Sequence, residues 1–201
     1  MYIKRNIIII AFITFCINIS GQPAKAILDK VAALVSNKGG VTANFNMSSK
    51  QYGTTSGSIA IKGRMFKTTT TFSTIWFVGK NQWTYIKRNN EVNINTPTEG
   101  ELQAINPYNF IYMYKKGFTY KMKTIGTNYK IHLTATNKKR QIQEMYITVN
   151  KSTLVPSKIK MRQGANWSSI SISNFKRKSL NNAIFKFNSK QFPTTEIIDL
   201  R

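Results

Sequence analysis

One histidine, His132, and seven carboxylates, Asp29, Glu91, Glu99, Glu101, Glu144, Glu196 and Asp199, are the side chains that would have to supply acid–base chemistry. A Ser-His-Asp or Cys-His arrangement needs His132 as its base. His132 lies between Ile131 and Leu133 in a predicted strand, and nothing in the sequence brings a carboxylate to it. A metal centre needs His or Cys at ligand spacing, and the chain has no such cluster. Glu99 and Glu101 are two residues apart, so on a helix they diverge. Acids in a first helical turn favour the helix dipole instead. There is no glycine loop suited to phosphate. The single cysteine, Cys16, sits in an apolar run near the N-terminus, so the remainder has neither thiolate nor disulfide chemistry. The composition points to a protein with no catalytic residues, no metal site and no cofactor.

The informative residues are apolar. There are 24 aromatics in 201 residues. For a single one, such as Trp83 or Phe66, cross-strand core packing is sufficient reason. Collectively they also suit a curved sheet closing around an apolar cavity.

These residues are carried on short, punctuated segments. Residues 57–95 read as successive strands rich in β-branched and aromatic residues, broken by glycine or asparagine. Ile59 and Ile61 lie on one, Met65 to Phe72 form a Thr-rich one, and Gly79-Lys80-Asn81 turns a hairpin between 75–78 and 82–87. Before them, Pro23 to Asn37 reads as a helix with Ile27, Val31, Leu34 and Val35 on one stripe, ended by Gly39-Gly40. Val41, Ala43, Phe45 and Met47 then alternate with polar residues as in a half-buried strand. Residues 96–117 break the alternation, with Asn106-Pro107 followed by Tyr108, Phe110, Ile111, Tyr112, Met113 and Tyr114. An insertion of this length inside a β-protein usually has a task. Strands resume near 118–125, 129–135, 141–149, 156–162 and 167–175, with a turn at Gln163-Gly164 that places Ile159 and Met161 on the face of Ile170 and Ile172.

The N-terminus has the layout of a secretory signal: Lys4 and Arg5, an apolar run from Ile7 to Ile19, then Ser20 and Gly21. The run is shorter than the roughly 20 residues of a membrane span, although a retained anchor is the competing reading. Thr14 and Phe15 before Cys16 are not the small residues that an acylated cysteine requires. Residues 1–21 are thus expected to be the signal and 22–201 a single domain, long enough for one core.

The formal charge is +23, and loss of Lys4 and Arg5 with the signal leaves 28 basic against 7 acidic residues. Such an excess attracts nucleic acid, anionic glycan or an anionic membrane surface. It equally follows from a chain rich in Lys, Asn and Ile. The densest basic clusters are 138–140 and 176–178.

The ordered set of helix, strands, Gly79-Lys80-Asn81-Gln82-Trp83-Thr84-Tyr85 hairpin, mid-chain helical insertion and closing Phe185-Lys186-Phe187 resembles the outer-membrane lipoprotein carrier (LolA-like) family over about residues 24–199. Further elements of the likeness are Phe66-Lys67 and the Phe192-Pro193 to Asp199 tail. The resemblance implies a mainly β fold: an incomplete antiparallel barrel, or curved half-barrel, with an N-terminal helix and a helical lid. It implies a periplasmic chaperone that takes acylated lipoproteins from an inner-membrane lipoprotein-releasing ABC transporter to an outer-membrane acceptor. It implies a monomer with no specific nucleic-acid partner. The expected cavity residues are Phe45, Ile59, Ile61, Phe66, Phe72, Trp83, Tyr85, Phe110, Met113, Phe185 and Phe187. In the family an arginine after the second strand can latch the lid. Here Lys62-Gly63-Arg64 lacks the usual proline, and Arg64 stands either as that latch or as a solvated turn residue. The alternatives to a lipoprotein carrier are a carrier of another envelope lipid, an acylated receptor of similar fold, and a basic envelope protein that binds anionic glycan or nucleic acid.

A carrier of this kind answers a physical need. Acyl chains hold a lipoprotein in its membrane by about 0.8 kcal/mol per buried CH₂. Exposing a chain of about fifteen methylenes to water costs roughly 12 kcal/mol. Shielding such chains requires an apolar cavity and no catalytic group.

Overall fold

The computed structural model describes residues 22–50, 53–98, 101–102, 105–106 and 108–201. The expected signal at 1–21, Glu99 and Pro107 lie outside the described residues. Helix α1, Gln22–Val35, is amphipathic: Ala24, Leu28, Val31 and Val35 recur at four, three and four residues and are fully buried. Leu34 is also buried, whereas Ile27 only flanks the stripe. The Asn37 side chain closes the helix by donating to the Leu34 carbonyl at 2.9 Å and accepting from Gly40 N at 2.8 Å.

The strands are β1 (Val41–Ser49), β2 (Gly53–Lys62), β3 (Met65–Thr70), β4 (Ser73–Val78), β5 (Asn81–Ile86), β6 (Glu91–Asn95), β7 (Phe118–Ile125), β8 (Asn128–Ala135), β9 (Glu144–Asn150), β10 (Pro156–Gln163), β11 (Asn166–Arg177) and β12 (Glu196–Asp199). They form one sheet in the order β12-β6-β5-β4-β3-β2-β1-β11-β10-β9-β8-β7. The sheet is curved and does not close. All neighbours are antiparallel except the edge strand β12, which runs parallel to β6. Gly63 and Gly79, both with positive φ, sit in two-residue turns that bring β2 onto β3 and β4 onto β5. At mid-sheet the β1–β11 register slips between Thr42 and Asn44, with Asn174 at φ 51°. A bulge of this kind bends a strand and sharpens its twist.

Side chains alternate between two faces. The inner face carries Val41, Ala43 and Phe45 of β1, Ile59 and Ile61 of β2, Phe66 of β3, Phe77 of β4, then Ile170, Ile159, Ile147 and Ile131 across the other half. The apolar stripe of α1 packs on this face, and with it a short helix α2, Phe110–Met113. As expected, Ile159 and Met161 share a face with Ile170 and Ile172.

The C-terminal segment departs from expectation. Residues 182–185 form a 3₁₀ turn in place of the expected strand through Phe185 and Phe187, because Asn181 caps it by accepting from Ala183 N at 2.9 Å. Asn188 caps a second such turn through Lys190 N at 3.1 Å. The segment crosses the outer face, where Phe187 and Phe192 pack against Trp76 with ring centroids 5.6 and 5.8 Å away.

Candidate functional site

The inner face is an apolar floor, and residues 108–114 cover part of it. Tyr108, Phe110, Ile111, Met113 and Tyr114 of this segment are all buried in the main core. The segment is short because Asn106 and Asn109 compete for its backbone. Asn106 Oδ1 accepts from Tyr108 N at 2.9 Å, and Asn109 N–H donates to the Asn106 carbonyl at 2.9 Å. α2 makes a single turn, with Tyr114 N–H reaching the Phe110 carbonyl at 3.2 Å.

Three tyrosines tie this cover to its surroundings. The Tyr112 hydroxyl donates to the Gly63 carbonyl at 2.8 Å, in the β2–β3 turn. Beside it the Arg64 guanidinium lies 5.7 Å from the centre of the Tyr112 ring. The Tyr114 hydroxyl donates to the Asp29 carboxylate on α1, and the Tyr120 hydroxyl of β7 donates to the Tyr114 carbonyl. Burial raises the pKa of all three phenols; Arg64 partly offsets this at Tyr112, and Asp29 adds to it at Tyr114. They therefore remain neutral donors near pH 7. Asp29 is held below the usual carboxylate range, first by the Tyr114 hydrogen bond and then by that of Lys25 at 2.9 Å.

Among the described residues, five buried side-chain polar atoms have no hydrogen-bond partner: Thr68 Oγ1, Gln82 Oε1, Asn95 Oδ1, Tyr108 Oη and Asn109 Nδ2. Two belong to the cover. Gln82 and Asn95 face each other across β5 and β6, on the inner side with Thr68. An unmet buried polar group costs about 1–3 kcal/mol. Such groups are more at home beside a space that takes water or a ligand's polar end than in a dry core.

The eleven residues expected to line one cavity divide between the faces. Phe45, Ile59, Ile61, Phe66, Phe110 and Met113 come together on the inner face. Trp83 and Tyr85 do not, because Trp83 pairs with Trp76 and Tyr85 with Thr74, and both point outward. Phe187 joins Trp76 there, and Tyr85 meets Phe192 at 4.8 Å. Phe185 is fully buried but stands apart from the main core. Phe72 is 68% exposed. The Thr70 hydroxyl accepts from the backbone N–H of Phe72 and Ser73 at 3.2 and 3.0 Å, which ends β3 early and turns Phe72 into solvent.

Sequence reasoning missed a carboxylate beside His132. On the outer face Glu144 accepts from Arg162 Nε at 2.9 Å and the Tyr146 hydroxyl at 2.9 Å, and contacts His132 Nε2 at 2.7 Å. Partial burial pushes the Glu144 pKa up, but hydrogen bonds from Arg162, Tyr146 and His132 outweigh it and hold the group low. This is not a nucleophile-base-acid relay. The hydroxyl that bonds to His132, Thr134 Oγ1 at 3.5 Å, meets the same Nε2 that Glu144 occupies. A groove of about 250 Å³ on the outer face, lined by Ala43, Ile59 and Ala60 as well as Thr42, Asn44 and Lys67, mixes polar and apolar surface and is open, unlike an enclosed acyl-chain site. Among the described residues, no three His, Cys, Asp or Glu side chains could hold a metal. Within those residues no helix is long and apolar enough to cross a membrane.

The family described as outer membrane lipoprotein carrier protein LolA matches residues 14–165. Among solved structures, an uncharacterized conserved protein from Thermus thermophilus superposes with a TM-score of 0.61 at 14% identity, covering 89% of this chain and 99% of that one. A LolA superfamily protein from Nitrosomonas europaea gives 0.44 at 13% identity, covering 82% and 97%. The Mycobacterium tuberculosis lipoprotein LppX gives 0.43 at 11% identity, covering 78% and 98%. At these identities the likeness concerns the fold alone. No curated protein matches the chain in sequence.

Proposed function

The chain belongs to the outer membrane lipoprotein carrier protein LolA family, and from that premise we propose that it shields lipoprotein acyl chains between its inner sheet face and residues 108–114. The observation that carries this reading is the cover itself. It is apolar, a single helical turn long, and holds two of the five unpaired buried polar atoms. Lifting it exposes the floor of Phe45, Ile59, Ile61 and Phe66, with Phe110 and Met113 as the adaptable roof. Arg64 acts as a latch through the Tyr112 ring, and Tyr114 as a second through Asp29.

In this account residues 1–21 direct export and the mature protein works in the periplasm as a monomer. It accepts cargo from an inner-membrane ABC releasing complex and yields it to an outer-membrane acceptor. Acyl chains displace Phe110 and Met113 from the floor, so the empty protein covers its own apolar surface and cargo replaces that cover. No group in the site needs to react.

Met113→Glu tests the reading. A charge facing an acyl chain without a partner costs several kcal/mol, while Met113, at 9% exposure, is the least buried of the cover's core residues, so a carboxylate there can turn toward solvent. Lipoprotein release from inner-membrane vesicles should fall strongly with the melting temperature little changed. Unchanged release in a folded variant would overturn the assignment of this segment.

A further inference from the structure

We propose that the outer face of β7–β10 is a docking surface for an anionic lipid bilayer. Register places six cations on that one face. Lys123 stands directly opposite Lys130, and Lys130 is followed across the sheet by Thr148 and then Lys158. The adjacent row reads Lys121, His132, Tyr146, Lys160, and Arg162 lies beyond Glu144 in the next. With strands about 4.8 Å apart, this is a two-dimensional array and not a single track. The one carboxylate within it, Glu144, is already engaged by Arg162, Tyr146 and His132.

Folding alone does not account for the array. Like charges directly opposite each other on neighbouring strands are destabilising, yet Lys123 and Lys130 are so paired. Lysines on an exposed edge strand can serve to prevent edge-to-edge pairing. That covers Lys121 and Lys123 on β7, but Lys130, Lys158 and Lys160 stand on interior strands. A partner of opposite charge does account for them.

A bilayer fits better than a polyanion for two reasons. Proteins that hold single-stranded nucleic acid offer free aromatic faces for stacking. Here the rings are already occupied: Lys130 Nζ is 5.4 Å from the Tyr146 ring centre, Lys160 Nζ is 5.4 Å from that of Trp167, and the His132 ring stacks on Tyr146 at 4.2 Å. Secondly, Ile125 continues the Lys121–Lys123 side of β7 and is 56% exposed. An exposed isoleucine beside lysines suits a headgroup–acyl boundary. The surface lies opposite the acyl-chain face, so the proposal does not rest on the cargo reading.

The experiment is co-sedimentation of the protein lacking residues 1–21 with vesicles of phosphatidylcholine, with or without phosphatidylglycerol. The wild type should bind only the anionic vesicles and release as salt rises and shortens the screening length. The triple variant K123Q/K130Q/K158Q should bind roughly a hundredfold more weakly, with a melt no lower than the wild type's, because all three side chains are exposed and the Lys123–Lys130 repulsion is removed. A control variant with equal charge loss elsewhere, K30Q/K38Q/K190Q, should lose far less. Equal loss in both variants would reduce the effect to net charge and overturn the proposal. Equal binding to neutral vesicles would do the same. Tight binding of heparin or single-stranded DNA without vesicle binding would assign the face to a polyanion instead.

Discussion

The Tyr114 hydroxyl donates to the Asp29 carboxylate and so joins the end of the 108–114 cover to helix α1. Tyr114 is fully buried, while Asp29 stands near the surface with Lys25 beside it. A buried donor thus reaches out to a partly solvated acceptor, and the tie responds to the charge on that acceptor.

This tie has a defined pH dependence. Asp29 is depressed in the folded state, mainly by Tyr114 and then by Lys25. Its contribution is therefore complete above the unfolded aspartate value of about 3.9 and is lost as pH falls through the lower folded value. Tyr114→Phe should melt lower than the wild type at neutral pH. The gap should narrow below about pH 4 to what a neutral carboxyl, still an acceptor for the hydroxyl, retains. Melts recorded across that range check it, and a gap that is constant down to the acid limit would refute the role of Asp29.

The second tie acts at the other end of the cover. Tyr112→Phe removes the donation to the Gly63 carbonyl, and Arg64→Ala removes the cation from the Tyr112 ring. Each interaction is worth about 0.5–1.5 kcal/mol. Amide exchange of Ile111, Tyr112 and Tyr114 should accelerate by up to roughly tenfold in each variant. Exchange at Ile131 and Ile147, in the centre of β8 and β9, should stay as it was. Uniform acceleration across the sheet would mean that the cover does not open separately.

Gly57 tests the floor. A Cβ there would lie 2.2 Å from the Thr69 carbonyl oxygen and 3.1 Å from Phe45 Cζ. The first contact is with backbone, so β2 and β3 would have to part. Gly57→Ala should therefore destabilise the domain by about 1–3 kcal/mol or more, read as a lower midpoint in urea. A neutral outcome would show that the Phe45 end of the floor is loosely packed.

The fold was legible wherever one face of a segment is apolar and the other polar. Val41, Ala43 and Phe45 alternate cleanly with Thr42, Asn44 and Asn46, and the structure pairs them as that pattern implies. Ile75-Trp76-Phe77 offers apolar groups to both faces, so its period cannot say which side Trp83 takes; that depends on the register Trp76–Trp83. Phe185-Lys186-Phe187 mimics a strand, but the caps from Asn181 and Asn188 wind its surroundings into 3₁₀ turns. Glu144 beside His132 is a diagonal neighbour across β8 and β9. Only the strand register reveals that proximity. The cover was legible because six apolar or aromatic residues between Tyr108 and Tyr114 are too many for an ordinary loop. Its attachment to Gly63 and Asp29 was not, since both contacts span large separations in sequence.

Native mass spectrometry with a triacylated lipopeptide asks whether the covered inner face takes acyl chains, as proposed. The protein lacking residues 1–21 should form a one-to-one complex with the lipopeptide, fail to bind the same peptide without its acyl chains, and lose the complex in Met113→Glu. Equal binding of the acylated and deacylated peptides, or a complex that a folded Met113→Glu variant retains in full, would contradict the account.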